Sequence, residues 1–198
     1  MAWGLGLGII IDGNLYYGKS GFSGEFGHFC MFENEVLCHC GKKGCLETEA
    51  SGSAFHRILM ERYREGSNTI LAGELDSGEE ISLGDLLEAV RKEDVLCIDI
   101  LEKMGVNLGK GIAGLMNIFN PELVILGGTL SLAGEYISLP VKSAIRKYSL
   151  NLVNQDTEIK ISKLGERAGA FGACLLSRSK LLGMIHYCLL YTSDAADD

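Results

Sequence analysis

Three of the seven cysteines in this chain, Cys38, Cys40 and Cys45, fall within eight residues, with Gly41 and Gly44 between them. A disulfide framework spreads its cysteines through a short secreted chain. Here they are bunched, and no basic segment with a cleavage site opens the sequence. The pattern predicts a metal-binding knuckle in a reducing, cytoplasmic compartment. His28 supplies a fourth donor. Three thiolates and an imidazole are the soft, tetrahedral set that zinc takes in closed structural sites. The two glycines let the chain turn tightly enough for the sulfurs to converge. The spacing is neither a two-Cys, two-His finger nor a zinc ribbon. His39 competes as a ligand, but if Cys38 and Cys40 both face the ion, the residue between them faces away. The opposing reading, three reduced cysteines in a metal-free loop, leaves an oxidation liability.

Composition narrows the rest. Hydrophobic residues make up 47% of the 198, enough to bury a core. The longest apolar stretches, Gly4–Ile11 and Met184–Tyr191, are far too short to span a membrane. A formal net charge of −8 argues against this segment holding nucleic acid through its own field. Glycine, at 26 residues, is about twice its usual ~7% share.

Along the chain, Ile9-Ile10-Ile11 leads into Asp12-Gly13 and then Leu15-Tyr16-Tyr17, a strong hairpin signal. Gly18 to Gly27 is a glycine- and serine-rich loop. Periodicity predicts one helix from Leu46 to about Gly66, a polar loop with a short helix over 67–82, and a helix from Leu83 through Arg91. The longest helical pattern runs from Asp94 to Phe119 and stops at Asn120-Pro121. Leu123–Leu126 reads as a strand buried on both faces. A helix over Tyr136–Tyr148, a strand over Glu158–Ile161 and a small-residue helix from Glu166 to about Leu182 complete the pattern. The small residues would let that last helix pack closely on a neighbour. Alternation of helices and strands makes the class α/β. Cys188–Asp198 continues no pattern, reads as translated sequencing-library adaptor, and is set aside with the tail 184–198.

Two glycine clusters could cradle a phosphate through backbone N–H groups. Gly4-x-Gly6-x-Gly8 is neither a P-loop nor a Rossmann fingerprint, since no helix follows it. On its own it reads better as a glycine-rich strand start. Gly127-Gly128, at the end of a strand, is either a ligand-facing turn or simply a turn.

Taken together, these motifs carry a specific resemblance. Gly4-Leu5-Gly6-Leu7-Gly8-Ile9, then Gly18, then Gly24-x-x-Gly27-His28, resembles in order and spacing the signature of the ROK family of repressors, open reading frames and sugar kinases. Cys38-His39-Cys40-Gly41-x-x-Gly44-Cys45-Leu46-Glu47 is similar to that family's zinc loop. Asn117-x-x-Asn120-Pro121-Glu122-x-Val124-x-Leu126-Gly127-Gly128 resembles its later nucleotide-side turn. The likeness covers about Ala2 to Leu182. It implies the actin-like, ribonuclease-H-type sugar kinase fold, with residues 1–183 as the C-terminal lobe and a preceding lobe expected but absent. Glu25, His28 and Glu47 would contact sugar hydroxyls, and Gly4, Gly6, Gly127 and Gly128 would lie beside the nucleotide. His28, Cys38, Cys40 and Cys45 would hold a structural zinc, with one His28 nitrogen on the metal and the other offered to the sugar.

The same resemblance implies a base, an aspartate upstream of the glycine loop, that no residue here replaces, so no catalytic residue is assigned. Kinases of the family usually carry a threonine where this chain has Leu5, and leucine offers phosphate no hydroxyl. The resulting expectation is the sugar-sensing portion of a ROK-type transcriptional regulator. It would bind a hexose or amino sugar, pair as a homodimer, and meet DNA only through an absent N-terminal domain. The alternatives are a glucokinase-like fragment using ATP and Mg²⁺, and a zinc-stabilised interaction domain without a ligand.

Overall fold

The computed structural model describes residues 1–182, and the expectations for 184–198 lie outside them. Two short strands, β1 (Ile10–Ile11) and β2 (Asn14–Leu15), pair antiparallel as the sequence predicts. Asp12 and Gly13 both take positive φ at the turn between them, the conformation a tight two-residue hairpin demands. A 3₁₀ turn at Phe26–His28 and the cysteine knuckle follow.

The predicted helix from Leu46 to Gly66 is two helices, α1 (Glu47–Ala50) and α2 (Gly52–Arg64). Ser51 sits between them in an extended conformation, and its hydroxyl accepts from the Ala54 amide. A serine favours an N-cap over a helix interior, because its side chain satisfies an amide the first turn leaves open. The polar stretch carries α3 (Ala72–Ser77). Then come α4 (Leu83–Arg91), opened by a Ser82–Asp85 capping box, and α5 (Val95–Phe119), capped by Asp94 and closed by Asn120 in the left-handed region. Strand β3 (Leu123–Leu126), a 3₁₀ turn, α6 (Glu135–Tyr148), α7 (Asn151–Asp156) and β4 (Glu158–Ile161) form a βαβ unit. Its two strands pair parallel, Leu123 opposite Glu158 and Leu126 opposite Ile161.

Two expectations need correction. Strand β3 is not buried on both faces: Leu126 is buried, but Leu123 and Ile125 are exposed. With only β4 beside it among the described residues, one face of the pair has no covering helix. A 3₁₀ turn precedes the last helix, α8 (Ala168–Leu182), which does not pack closely through its small residues: a Cβ at Gly169 or Gly172 would meet open space.

The core lies among α2, α4, α5 and α6, with Phe55, Leu59, Leu86, Leu101, Met104, Ile137 and Ile145 almost wholly removed from water. Helices α5 and α6 cross at very short range. A Cβ on Gly105 would come within 2.9 Å of Pro140, and one on Gly109 within 2.6 Å of the Val141 carbonyl oxygen. Glycine four residues apart on one face is what lets the backbones meet. From this scaffold α1 and the knuckle are held in place: Phe26 and Leu46 pack onto Gly111 of α5, where any side chain would collide with both.

Candidate metal centre and sugar site

The knuckle begins as two extended segments that meet at Cys30 and Cys45. The Met31 amide donates to Gly44 O at 2.8 Å, and the Leu46 amide donates to Phe29 O at 2.9 Å. Gly44 has φ of +78°, and a Cβ there would sit 2.1 Å from Phe32 O. Only glycine allows this crossing. A second turn, Cys38 to Gly41, is closed by the Gly41 amide on Cys38 O.

These turns bring four donors together. The Nδ1 or Nε2 of His28 and the sulfurs of Cys38, Cys40 and Cys45 all lie within 4.8 Å of one another. His28 Nδ1 is 3.4 Å from Cys38 Sγ, and Cys40 Sγ is 3.6 Å from Cys45 Sγ. A tetrahedral zinc with Zn–S bonds of about 2.3 Å sets its sulfurs roughly 3.8 Å apart, so the spacing fits. The donor chemistry fits too. Burial, then the neighbouring Cys40 and Cys38 thiols, push the Cys45 thiol up to about 12. A dication is what permits such a group to ionise. Cys40 is held below its ordinary range, first by a hydrogen bond from the Lys42 backbone. His39 is exposed and outside the donor set.

His28 faces two ways. Its Nδ1 is toward the sulfurs, while Nε2 lies 3.6 Å from Glu25 Oε2. Glu25 is exposed and His28 partly so, which makes them a polar face on the outside of the knuckle. Glu47 occupies the junction behind it. Its Oε2 accepts from the Leu5 amide at 2.8 Å, and its Oε1 accepts from the Cys38 thiol at 3.9 Å. Gly4 and Gly27 both crowd this carboxylate, a Cβ on either lying 3.0 to 3.3 Å from Oε2. One carboxylate thus touches the glycine loop, the 3₁₀ turn and the knuckle. A small cavity beside it is lined by Cys38, His39, Glu47, Thr48 and Arg57.

The four glycines assigned to a nucleotide side fall in two places. Gly4 lies against Glu47, and Gly6 has open space where a side chain would be. Gly127 and Gly128 meet the backbone of Met1: the Met1 nitrogen donates to Gly127 O at 2.7 Å, and the Leu130 amide donates to Met1 O. The first glycine segment therefore bridges Glu47 and the β3 turn. Sequence reasoning missed three participants. They are the Leu5 amide, which partners Glu47 from 42 positions away; Arg57, which donates to Thr48 O at 2.8 Å; and Cys30, which faces Cys45. Only Cys30 left a trace in the sequence, as a cysteine fifteen residues before Cys45.

An α/β scaffold carrying a three-cysteine, one-histidine knuckle, with one carboxylate on its histidine and another on its first cysteine, defines a narrow class of protein. Residues 1–180 match the ROK family, and the chain belongs to it. Its relatives include both glucokinases and repressors. It is 35% identical over 170 residues to the glucokinase of Halalkalibacterium halodurans, covering 85% of this chain and 52% of that protein. It is 33% identical over 188 residues to the xylose repressor of Caldicellulosiruptor bescii, covering 93% and 46%. The chain thus spans about half the length of these curated relatives. Among solved structures, it superimposes with a TM-score of 0.79 and 31% identity on a ROK family glucokinase from Streptomyces griseus in complex with glucose and AMPPNP, covering 90% of this chain and 59% of that one. A ROK family transcriptional regulator, a homologue of the Escherichia coli MLC protein, gives 0.74 and 35%, covering 81% and 40%. Among the described residues no helix is long and apolar enough to cross a membrane.

Proposed function

We propose that this chain is the sugar-sensing portion of a ROK-type transcriptional regulator. It would hold a hexose or amino sugar at Glu25, His28 and Glu47, beside a structural zinc on His28, Cys38, Cys40 and Cys45. The two-way placement of His28 carries the sugar reading. A metal on Nδ1 would fix the ring and leave Nε2 with Glu25 to meet hydroxyls, so the ion orders the group that reads the ligand. Carboxylates accept from adjacent hydroxyl pairs and so fix a sugar's orientation. The protein would pair as a homodimer and meet DNA only through an N-terminal domain of the longer parent protein.

Preference for a regulator over a kinase rests on the glycine loop. From Ala2 to Ile11 no side chain carries a hydroxyl or a charge. The Leu5 side chain is buried in the core, its amide is taken by Glu47, and the Leu7 amide donates to Gly24 O at 3.0 Å. Two of the loop's amides, those of Leu5 and Leu7, are thus engaged within the fold. The second reading is a glucokinase-like enzyme using ATP and Mg²⁺, and it is favoured by the likeness to two glucokinases.

The test uses the full-length parent protein. Calorimetric titration with hexoses and amino sugars should show binding, and Glu25→Gln should weaken it by roughly tenfold to a hundredfold, the value of a charge-assisted hydrogen bond. Unchanged affinity removes Glu25 from the site. A coupled assay with ATP and the bound sugar should show no phosphorylation. Turnover there moves the assignment to the kinase.

A further inference from the structure

Cys30 plays no part in the donor set described above, yet it stands directly opposite one of its members. The two backbone hydrogen bonds at this crossing, Met31 to Gly44 and Leu46 to Phe29, flank the pair and leave Cys30 and Cys45 themselves unbonded to each other. That is the non-hydrogen-bonded position of an antiparallel ladder, where opposed Cα atoms approach to about 4.5 Å and side chains share one face. A disulfide accepts Cα separations from about 4.4 to 6.8 Å. The Cys30 sulfur leans across the partner segment, 3.1 Å from where a Cβ on Gly44 would stand, with its thiol toward Lys43 O at 3.7 Å. Cys30 is exposed and Cys45 is 1% exposed, so a diffusing oxidant meets Cys30 first.

We infer that Cys30 and Cys45 form a peroxide-sensitive thiol pair, in which a disulfide between them takes Cys45 from the metal and opens the knuckle. The disulfide itself rests on the crossing geometry; its consequence rests on the metal reading above. In the first step hydrogen peroxide oxidises the Cys30 thiol to a sulfenic acid and leaves as water. In the second the Cys45 thiolate attacks that sulfur. The S–S bond forms, the S–O bond breaks, and the departing hydroxide takes one proton to become a second water. Each sulfur gives up one electron, and peroxide takes both. Cys45 then no longer binds the ion, which keeps only His28, Cys38 and Cys40. The loop carrying Glu25 and His28 would lose its anchor, so oxidation would lower sugar affinity.

The experiment treats full-length protein with hydrogen peroxide and follows two readouts. Zinc release is read with a chromophoric chelator, after the metal content of untreated protein has been measured. Linkage is read by mass spectrometry after trypsin and a glutamate-specific protease. Cleavage at Glu33, Glu35, Lys42 and Lys43 separates Cys30 from Cys38 and Cys40, and all three from Cys45. A Cys30–Cys45 peptide pair is expected, with about one zinc released per chain and recovery on adding a thiol and zinc. Cys30→Ser should keep its zinc and release it at least tenfold more slowly. A dominant linkage among Cys38, Cys40 and Cys45, or equal release by Cys30→Ser, overturns the proposal. Protein isolated without zinc refutes the metal centre instead, and the peptide map still decides the disulfide.

Discussion

The knuckle and the α5–α6 crossing solve the same problem, a close approach of two chain segments, by different physics. At the crossing, Gly105 and Gly109 let apolar surfaces meet, and Ile137, Val141 and Ile145 fill the seam almost free of solvent. Packing alone sustains it. In the knuckle Gly44 also admits a neighbouring backbone, but beyond Phe26 and Leu46 the apolar cover is thin: Phe29, Leu37 and Cys40 are exposed. What converges there is donor atoms, those of His28, Cys38, Cys40 and Cys45. The helical scaffold is therefore held by packing, while on the zinc reading proposed above the knuckle would be held by an ion.

Metal removal should separate the two regions most sharply. Chelation of the full-length protein, or Cys45→Ala, is expected to abolish zinc binding and to cut sugar affinity by about a hundredfold or more, since the ring of His28 loses its anchor. Hydrogen exchange should rise across residues 28–45 and stay unchanged in α5 and α6. Equal loosening of both regions would break the contrast and make the ion a support for the whole fold.

Gly109→Ala probes the other side. The added methyl would lie 2.6 Å from Val141 O and 2.7 Å from the Ala144 Cβ, neither of which can move without shifting α6. Overpacking of this kind costs about 1–3 kcal/mol. The expected result is a lower unfolding midpoint in urea with an unaltered zinc content. Loss of zinc in this variant would show that the crossing and the knuckle are one cooperative unit.

The difference between the regions also explains what the sequence disclosed. The scaffold was legible where periodicity coincided with a cap, as in α4 behind Ser82 and α5 between Asp94 and Asn120. It misled where a residue can serve two roles, so that Ser51 passed as helix interior. No period marks α7, where Asn151, Asn154 and Gln155 interrupt Leu152 and Val153. The cysteine knuckle was legible because its donors are close in sequence. The bond from Leu5 to Glu47 was not, because an amide carries no side-chain signature and its partner is 42 residues distant.

The smallest effect expected is electrostatic, at the start of α5. Asp94 is 6% exposed, and its carboxylate accepts from the Cys97 amide at 2.9 Å and the Ile70 amide at 2.7 Å. Burial alone would raise its pKa, but these hydrogen bonds outweigh burial and hold the carboxyl below its ordinary value. A group whose pKa is depressed on folding contributes stability above its unfolded value of about 3.9, and that contribution fades as pH falls through the folded one. Asp94→Asn keeps an oxygen for Cys97, because asparagine caps helices about as well as aspartate. It presents an amide nitrogen to the Ile70 N–H, where no bond can form. The loss should be about 1 kcal/mol at pH 7 and should shrink below pH ~4 as the wild-type carboxylate is protonated. Urea unfolding followed by the helical signal at the two pH values measures it. A deficit that stays constant with pH would mean that the Asp94 charge contributes nothing and that only the shape of the cap matters.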